Sequence, residues 1–239
     1  MRIIAHRGFH YSLKDKDICP ENTIEAFQKA IDLNVDGVET DLRLSSQGEL
    51  ILSHSRAFSG VPVASLTRKE LSDLVGYHVP ILEELLEIVP EELLLNLDVK
   101  TSSCLGPTME LIENFPNLKF LISSFSHSLL HKFARLCLPY HDFYKHMENV
   151  EFGLLFANKP YKSKSFFESL PYLPNIEYFI WDIDIFDVAL MKNMNEIAKT
   201  HGRELKHIVY GVQKEDFSGY NLDGIITEIP DHHVPKNRF

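Results

Sequence analysis

Two carboxylates separated by a single residue, Glu39 and Asp41, lie in a short and otherwise apolar segment of the chain. If residues 37–43 form a strand, alternate side chains point to the same side, so Glu39, Asp41 and Arg43 share one face. Two acids on one strand face are costly to bury without a partner. The spacing therefore indicates that a cation neutralises this pair.

A second strand-like segment repeats this pattern. In residues 95–100, the polar side chains of Asn96, Asp98 and Lys100 alternate with leucine and valine and so share one face. Asp98 is then able to face the carboxylates of segment 37–43. An ion pair between Asp98 and Lys100 inside the mouth of a barrel is the structural alternative to a functional role.

The chain turns back directly after the first of these segments. Residues 45–48 have the composition of a turn, and residues 50–54 follow too closely for a crossover helix, so they are expected to return antiparallel to 37–43. With the turn centred in this range, the numbers of paired residues sum to about 95. This register predicts that His54 lies beside Asp41.

Strand and helix patterns alternate along almost the whole chain. Apart from the hairpin arm, eight strands are predicted, at 2–6, 37–43, 93–99, 118–123, 151–156, 177–181, 206–210 and 223–227. Helical patterns are clearest at 23–33, 66–75, 81–89, 126–136 and 186–200. Eight parallel strands with intervening helices predict a single α/β domain over residues 1–239, a (β/α)8 TIM barrel with a β-hairpin after its second strand. Active sites of such barrels lie at the C-terminal strand ends, where His6, Asp41 and Lys100 are expected.

Composition narrows the class of protein. The chain has 239 residues, 44% of them hydrophobic, and a net charge of −10, which argues against a nucleic-acid or anionic-membrane partner. Its three cysteines show no metal-ligand spacing, and no signal peptide or long apolar span is visible. We therefore expect a cytoplasmic protein without an integral membrane segment. Walker, GxGxxG and GxSxG motifs are absent from the sequence, which argues against nucleotide binding and serine hydrolysis.

An ordered series of short motifs resembles the glycerophosphodiester phosphodiesterases and extends from residue 3 to residue 230. The motifs are His6-Arg7-Gly8, Pro20-Glu21-Asn22-Thr23 with Glu25-Ala26-Phe27, Glu39-Thr40-Asp41, His54, Asn96-Leu97-Asp98-Val99-Lys100, Ser123-Ser124-Phe125 and Asp223-Gly224-Ile225-Ile226-Thr227. Each motif alone is short. Their order along the whole chain makes the resemblance specific.

The resemblance implies a metal-dependent barrel enzyme that hydrolyses small-molecule glycerophosphodiesters to sn-glycerol 3-phosphate and an alcohol. By position, it implies metal ligands at Glu39, Asp41 and Asp98, acid and base catalysts at His6 and His54, and phosphate contacts at Arg7 and Lys100. Glu21 and Asn22 are implied to line the same pocket, and Glu21 to reach the metal as well.

The chemistry of these residue types supports the same roles. Three carboxylates without cysteine ligands suit one hard divalent cation, Mg²⁺ or Ca²⁺, better than zinc. Histidine, with an ordinary pKa near 6.5, serves as base or acid near neutral pH. Which histidine is the acid, and whether the nucleophile is water or the glycerol 2-hydroxyl, stay open at this stage.

The chain departs from the family pattern at three single positions and in one short segment. Ser55 follows His54 where the family usually has an aspartate, and Asp98 stands where a glutamate is usual. Residues 210–213 replace a Trp-Thr-Val-Asn motif, and Glu228 replaces the final aspartate. The segment between His54 and Asp98 is also short, which predicts a much reduced insertion subdomain.

These departures leave two alternatives to the leading function. The first is a lysophospholipase D-like enzyme acting on acylated lipids, which an apolar rim around residues 55–64 would favour. The second is a catalytically silent barrel that binds a phosphodiester or a protein partner. The oligomeric state and the alcohol leaving group are not indicated by the sequence.

Overall fold

The predicted barrel is confirmed in the computed structural model, which describes residues 1–14, 18–136, 148–157 and 176–235. The strands are β1 (Arg2–His6), β2 (Gly37–Leu44), β3 (Leu50–Leu52), β4 (Ala57–Phe58), β5 (Val61–Pro62), β6 (Leu94–Val99), β7 (Lys119–Ser124), β8 (Val150–Phe156), β9 (Ile176–Asp182), β10 (Lys206–Val212) and β11 (Gly224–Thr227). The helices are α1 (Ile24–Asp32), α2 (Arg68–Val75), α3 (Leu82–Leu86), α4 (Ser102–Ile112), α5 (His127–Leu136), α6 (Val188–Thr200) and α7 (Pro230–His233).

Eight of these strands form a closed parallel barrel. Their order is β1, β11, β10, β9, β8, β7, β6 and β2, and pairing between β1 and β2 closes the ring. The register aligns His6 with Glu39, and it aligns Asp41 with Asp98 on the next strand. Barrel closure therefore brings the reactive residues of three strands to one height at the mouth.

The barrel strands are buried on both faces, as their nearly continuous apolar composition requires. One cluster fills the barrel interior and includes Ile4, Leu94, Leu121, Tyr178, Ile208 and Ile226. A larger cluster lies between the strands and the surrounding helices. Among the described residues, no helix is both long and apolar enough to cross a lipid bilayer.

The hairpin arm forms as predicted, but its register differs by one residue. Leu42 pairs with Leu52 and Leu44 with Leu50, so the paired numbers sum to 94. The turn has three residues and ends at Gly48, whose φ of 82° is the left-handed conformation typical of such a loop. As a result Ser53, and not His54, bonds to the Asp41 backbone, at 2.9 Å between amide nitrogen and carbonyl oxygen.

The segment between β3 and β6 is small, in agreement with the predicted reduction of the insertion. It contains the β4–β5 hairpin, α2 and α3, packed around Ile51, Val63, Leu71 and Val79. Helix α2 begins two residues later than the apolar pattern predicts, because Thr67 accepts a hydrogen bond from the Glu70 amide and acts as the N-cap.

A buried histidine on β10 predicts that the fold loses stability in acid. The Trp181 indole Nε1 donates to His207 Nδ1 at 3.1 Å, so His207 must carry its proton on Nε2, which faces Asn195 Oδ1 at 2.9 Å. Burial lowers the pKa of His207 to about 4, against about 6.5 in an unfolded chain. Neutral His207 therefore contributes its full stabilisation above about pH 6.5. Through this residue, the free energy of unfolding falls by about 2–3 kcal/mol as the pH is lowered to 4.5.

Urea unfolding at pH 7.5 and pH 4.5 measures this effect against the His207→Gln variant. Glutamine offers an acceptor oxygen and a donor NH2 group but does not titrate in this range. We expect a smaller acid-induced loss of unfolding free energy in the variant than in the parent protein. Equal losses in the two proteins would show that His207 is not the source.

Candidate active site

The predicted catalytic and phosphate-contact residues His6, His54, Arg7 and Lys100 surround one cavity of about 140 Å³ at the C-terminal ends of the strands. Its other lining residues are Glu39, Asp41, Asn96, Asp98, Ser123, Phe125, Leu155, Tyr210 and Ile226. A larger cleft of about 760 Å³ lies at the opposite end of the barrel, among the first residues of several strands. Since barrel active sites lie at the C-terminal end, the smaller cavity is the candidate site.

Three buried carboxylates form the base of this cavity. One oxygen from each of Glu39, Asp41 and Asp98 lies within 4.8 Å of the others. Asp98 Oδ1 is buried and accepts no hydrogen bond from any described group. A set of oxygen donors with an unused buried lone pair fits a hard divalent cation such as Mg²⁺ or Ca²⁺.

Burial makes two of these three carboxyl groups, Glu39 and Asp98, harder to ionise than in water. Burial, and then the charge on Asp41, raise the pKa of Glu39 to about 7. Burial likewise raises the pKa of Asp98 to about 6. Burial also acts to raise the pKa of Asp41, but Lys100 and Arg7 outweigh it and hold that pKa below its ordinary value.

Two cationic side chains contact the central acid, Asp41. The Lys100 ammonium lies 2.6 Å from Asp41 Oδ1 and also pairs with Asp98. Arg7 Nε lies 3.0 Å from Asp41 Oδ2, while Arg7 Nη1 donates to Glu21 Oε2 at 2.8 Å. The ion pair between Lys100 and Asp98, considered from the sequence as the structural alternative, is present.

His6 at the end of β1 lies between two carboxylates. Its Nε2 is 3.7 Å from Glu39 Oε2, and its Nδ1 is 3.5 Å from Glu228 Oε1. Burial opposes the charged form of His6, but Glu39 and the bond to Glu228 outweigh it and raise the pKa of His6. The same contact with His6 lowers the pKa of Glu228 to about 2.

His54 occupies a different environment beyond the end of β3. Its side chain is exposed, and partial burial together with the charge of Arg7 lowers its pKa. No carboxylate in the described part of the chain forms an ion pair with His54, in keeping with Ser55 at the following position. Its backbone is held by Arg43, which donates to the His54 carbonyl oxygen at 2.8 Å. Arg43 therefore supports the hairpin and does not line the cavity.

The loop before α1 holds the acids in place. Asn22 Nδ2 donates to Asp41 Oδ2 at 3.1 Å, and Thr40 donates to the Asn22 side-chain carbonyl at 2.8 Å. Glu21 accepts from Arg7. Neither Glu21 nor Asn22 is among the residues that line the cavity, so their predicted substrate contacts remain predictions.

Gly8 allows the strand that ends in His6 to turn closely over α1. Its φ is 82°, and an added Cβ would lie 2.6 Å from the Ala26 carbonyl carbon. Gly48 has the same φ with no atom within 4 Å of such a Cβ. We expect Gly48→Ala to cost about 1 kcal/mol for the left-handed backbone. Gly8→Ala should cost about 3 kcal/mol or more, because the helix must also move.

Urea unfolding of the two alanine variants tests this difference. Displacement of α1 also moves Asn22 and hence Asp41, so Gly8→Ala should lower catalytic activity as well, while Gly48→Ala should not. Equal destabilisation by both substitutions would mean that the contact with Ala26 is not restrictive.

Four residues to which the sequence analysis assigned no role complete the site. They are Asn96, whose Nδ2 is buried without a hydrogen-bond partner, the aromatic residues Phe125 and Tyr210, and the His6 partner Glu228. The sequence pattern could have identified Asn96, because this residue shares a strand face with Asp98. The other three follow or end strands distant in sequence, and only barrel closure brings them to the site.

The fold and the position of this site are those of a (β/α)8-barrel enzyme. A family model described as the glycerophosphoryl diester phosphodiesterase family matches residues 6–232. The chain belongs to this family, as the motif resemblance predicted.

Similar proteins cover nearly the whole chain. A glycerophosphodiester phosphodiesterase of Bacillus altitudinis is 26% identical over 98% of this chain and 96% of its own length. The crystal structure of a glycerophosphodiester phosphodiesterase from Thermotoga maritima has a TM-score of 0.74 at 24% identity, covering 97% of this chain and 96% of that one. An Oleispira antarctica phosphodiesterase in complex with the product sn-glycerol-3-phosphate has a TM-score of 0.75 at 20% identity, covering 98% and 95%.

Proposed function

We propose that this protein hydrolyses glycerophosphodiesters to sn-glycerol 3-phosphate and an alcohol, with one divalent cation held by Glu39, Asp41 and Asp98. The observation that carries this proposal is the carboxylate triad, flanked by two histidines and two cationic side chains around one cavity. Family membership and the product bound to the Oleispira relative support the same reaction. The choice between Mg²⁺ and Ca²⁺ stays open.

The phosphodiester binds where its negative charge is matched. Arg7 and Lys100 line the cavity beside the triad and offer charged donors to the non-bridging phosphate oxygens. A divalent cation held by Glu39, Asp41 and Asp98 would supply further neutralisation of the charge on these oxygens. Asn22 acts as a positioning residue, because its amide holds Asp41 in the triad.

The environments of the two histidines suggest different roles. His6 Nδ1 is paired with Glu228, which favours the protonated imidazolium. We assign His6 as the general acid that protonates the leaving alkoxide. His54 is exposed beside Arg7 and Lys100, which favours its neutral form, so it serves as the general base. Its proton acceptance activates water or the glycerol 2-hydroxyl.

The products reveal which ester bond breaks. We expect ³¹P NMR of a reaction with glycerophosphocholine and Mg²⁺ or Ca²⁺ to show sn-glycerol 3-phosphate and no phosphocholine. Phosphocholine as the product would contradict the proposed orientation, in which the glycerol phosphate stays in the cavity while the other alcohol leaves.

The acylated-lipid alternative receives no support from the hairpin at the mouth. Within residues 55–64, Val61 is the one large hydrophobic side chain that is exposed, and Phe58 packs against the cluster beneath it. This stretch therefore lacks an apolar rim. We propose further that residues 1–239 act as one domain and that the protein is cytoplasmic, as the sequence predicted.

A further inference from the structure

The cavity has two chemically different sides. Arg7 and Lys100, with the carboxylates, occupy one side, contributed by β1, β2 and β6. The opposite side is apolar and aromatic, and its members are Phe125, Leu155, Tyr210 and Ile226. A phosphodiester bound to the cationic side must place one of its two alcohol groups near the aromatic side.

Two aromatic rings dominate that side. The centroids of Phe125 and Tyr210 are 6.2 Å apart, and their planes are nearly perpendicular at 83°. Phe125 is 47% exposed, so much of its ring is available to a ligand. Lys100 Nζ lies 5.9 Å from the Phe125 centroid, which places the phosphate-binding ammonium directly beside the aromatic side. An alcohol group esterified to a phosphate held by Lys100 is therefore close enough to contact Phe125.

The surrounding charge on this side is negative. The segment 182–187, at the end of β9, has three aspartates and no lysine or arginine. Asp182 is aligned with Tyr210 across β9 and β10. Burial raises the pKa of the Tyr210 hydroxyl, and the charges of Asp182, Asp98 and Asp184 raise it further. Aromatic faces next to carboxylates attract a cation.

Among the four side chains that line the aromatic side, only Tyr210 can form hydrogen bonds. The Tyr210 hydroxyl donates to the Phe156 carbonyl oxygen at 3.4 Å, and Leu155 and Ile226 are apolar. A methylated ammonium needs no hydrogen-bond acceptor and is less strongly hydrated than a primary ammonium. Aromatic rings bind such quaternary ammonium groups through cation–π contacts.

We propose that Phe125 and Tyr210 form a subsite for a quaternary ammonium on the alcohol leaving group, so that choline diesters are the preferred substrates. This inference rests on the proposed phosphodiesterase function and adds the substrate class. The cationic side holds the phosphate, the aromatic side holds the trimethylammonium, and Asp182 and Asp184 attract the positive charge to that side.

The direct test compares glycerophosphocholine with its uncharged isostere, the glycerophosphodiester of 3,3-dimethylbutanol. The two leaving groups have the same shape and differ in charge alone. We expect kcat/KM to be about 5- to 20-fold higher for the choline diester, the size of a partly desolvated cation–π contact. The comparison uses the unaltered, metal-loaded protein and needs no variant.

Two variants locate the effect. Phe125→Leu keeps an apolar side chain and should reduce the choline preference to near 1. Tyr220→Leu is the matched control, because Tyr220 is 44% exposed but packs against Phe186 and Phe217 away from the cavity. It should leave the preference unchanged.

The outcomes separate this inference from the proposed function. Equal kcat/KM for the charged and uncharged diesters would overturn the subsite while leaving the phosphodiesterase activity in place. A preference that survives Phe125→Leu would also overturn it. Hydrolysis of neither diester would overturn the proposed function and this inference together.

Discussion

Alanine at His6 or His54 is expected to lower kcat/KM for a glycerophosphodiester by about 10²- to 10⁴-fold, the usual contribution of a general acid or base. The two losses should differ in their pH dependence. His6→Ala removes the imidazolium that Glu228 stabilises, so its loss should be largest at low pH, where the parent protein is fully protonated at this position. His54→Ala removes a neutral base, so its loss should be largest at high pH.

The matched control for both variants is His78→Ala. His78 is an exposed histidine that pairs with Glu84 at 3.0 Å and lies outside the cavity. Its replacement should leave the pH profile unchanged. Near-normal turnover in both His6→Ala and His54→Ala would contradict the assignment of these two histidines as the acid and the base.

Neutralising Glu39 is expected to have opposite effects on cation binding and on the stability of the metal-free protein. Glu39→Gln should weaken Mg²⁺ or Ca²⁺ binding by more than about 100-fold, since even outer-shell partners of a metal contribute 10- to 100-fold. In EDTA at pH 8, the same variant should unfold with a free energy about 1–3 kcal/mol higher than that of the parent protein.

The sign of the stability effect follows from the direction of the pKa shift. Burial and then Asp41 raise the pKa of Glu39 to about 7, above the unfolded value of about 4.3. The metal-free protein therefore loses stability as the pH rises from about 4 to about 7, when the buried carboxyl must ionise. Glutamine does not ionise and removes this loss.

Calorimetric titration with each cation and urea unfolding in EDTA measure the two effects. Glu196→Gln is the control, because Glu196 is exposed on α6, distant from the cavity. It should change neither quantity. Unaltered cation affinity in Glu39→Gln would exclude Glu39 as a ligand, and the absence of divalent-cation binding to the parent protein would favour the silent barrel.

Much of the fold was predictable because barrel strands carry a strong local signal. Parallel strands buried on both faces appear as short apolar runs, and all eight were predicted with boundaries that differ from the structure by at most two residues. Period-two alternation also placed Asp98 and Lys100 on the face that lines the cavity. These features depend on neighbouring residues alone.

Other features depend on geometry that is not local. The hairpin register differed by one residue because the left-handed Gly48 closes a three-residue turn, which moved Ser53 into the position predicted for His54. The pairing of His6 with Glu228 depends on the alignment of Ala5 with Thr227 across the first and last strands. The Phe125–Tyr210 contact likewise joins strands about 85 residues apart in sequence, and no local pattern predicts it.

The most direct test of the central claim is the release of sn-glycerol 3-phosphate from glycerophosphocholine and glycerophosphoethanolamine. It is measured with Mg²⁺, with Ca²⁺ and with EDTA, beside a Glu39→Ala control. We predict release that requires a divalent cation, disappears in EDTA and is lost in the control. Release that persists in EDTA, or that survives Glu39→Ala, would contradict the account of a phosphodiesterase that works through this carboxylate site.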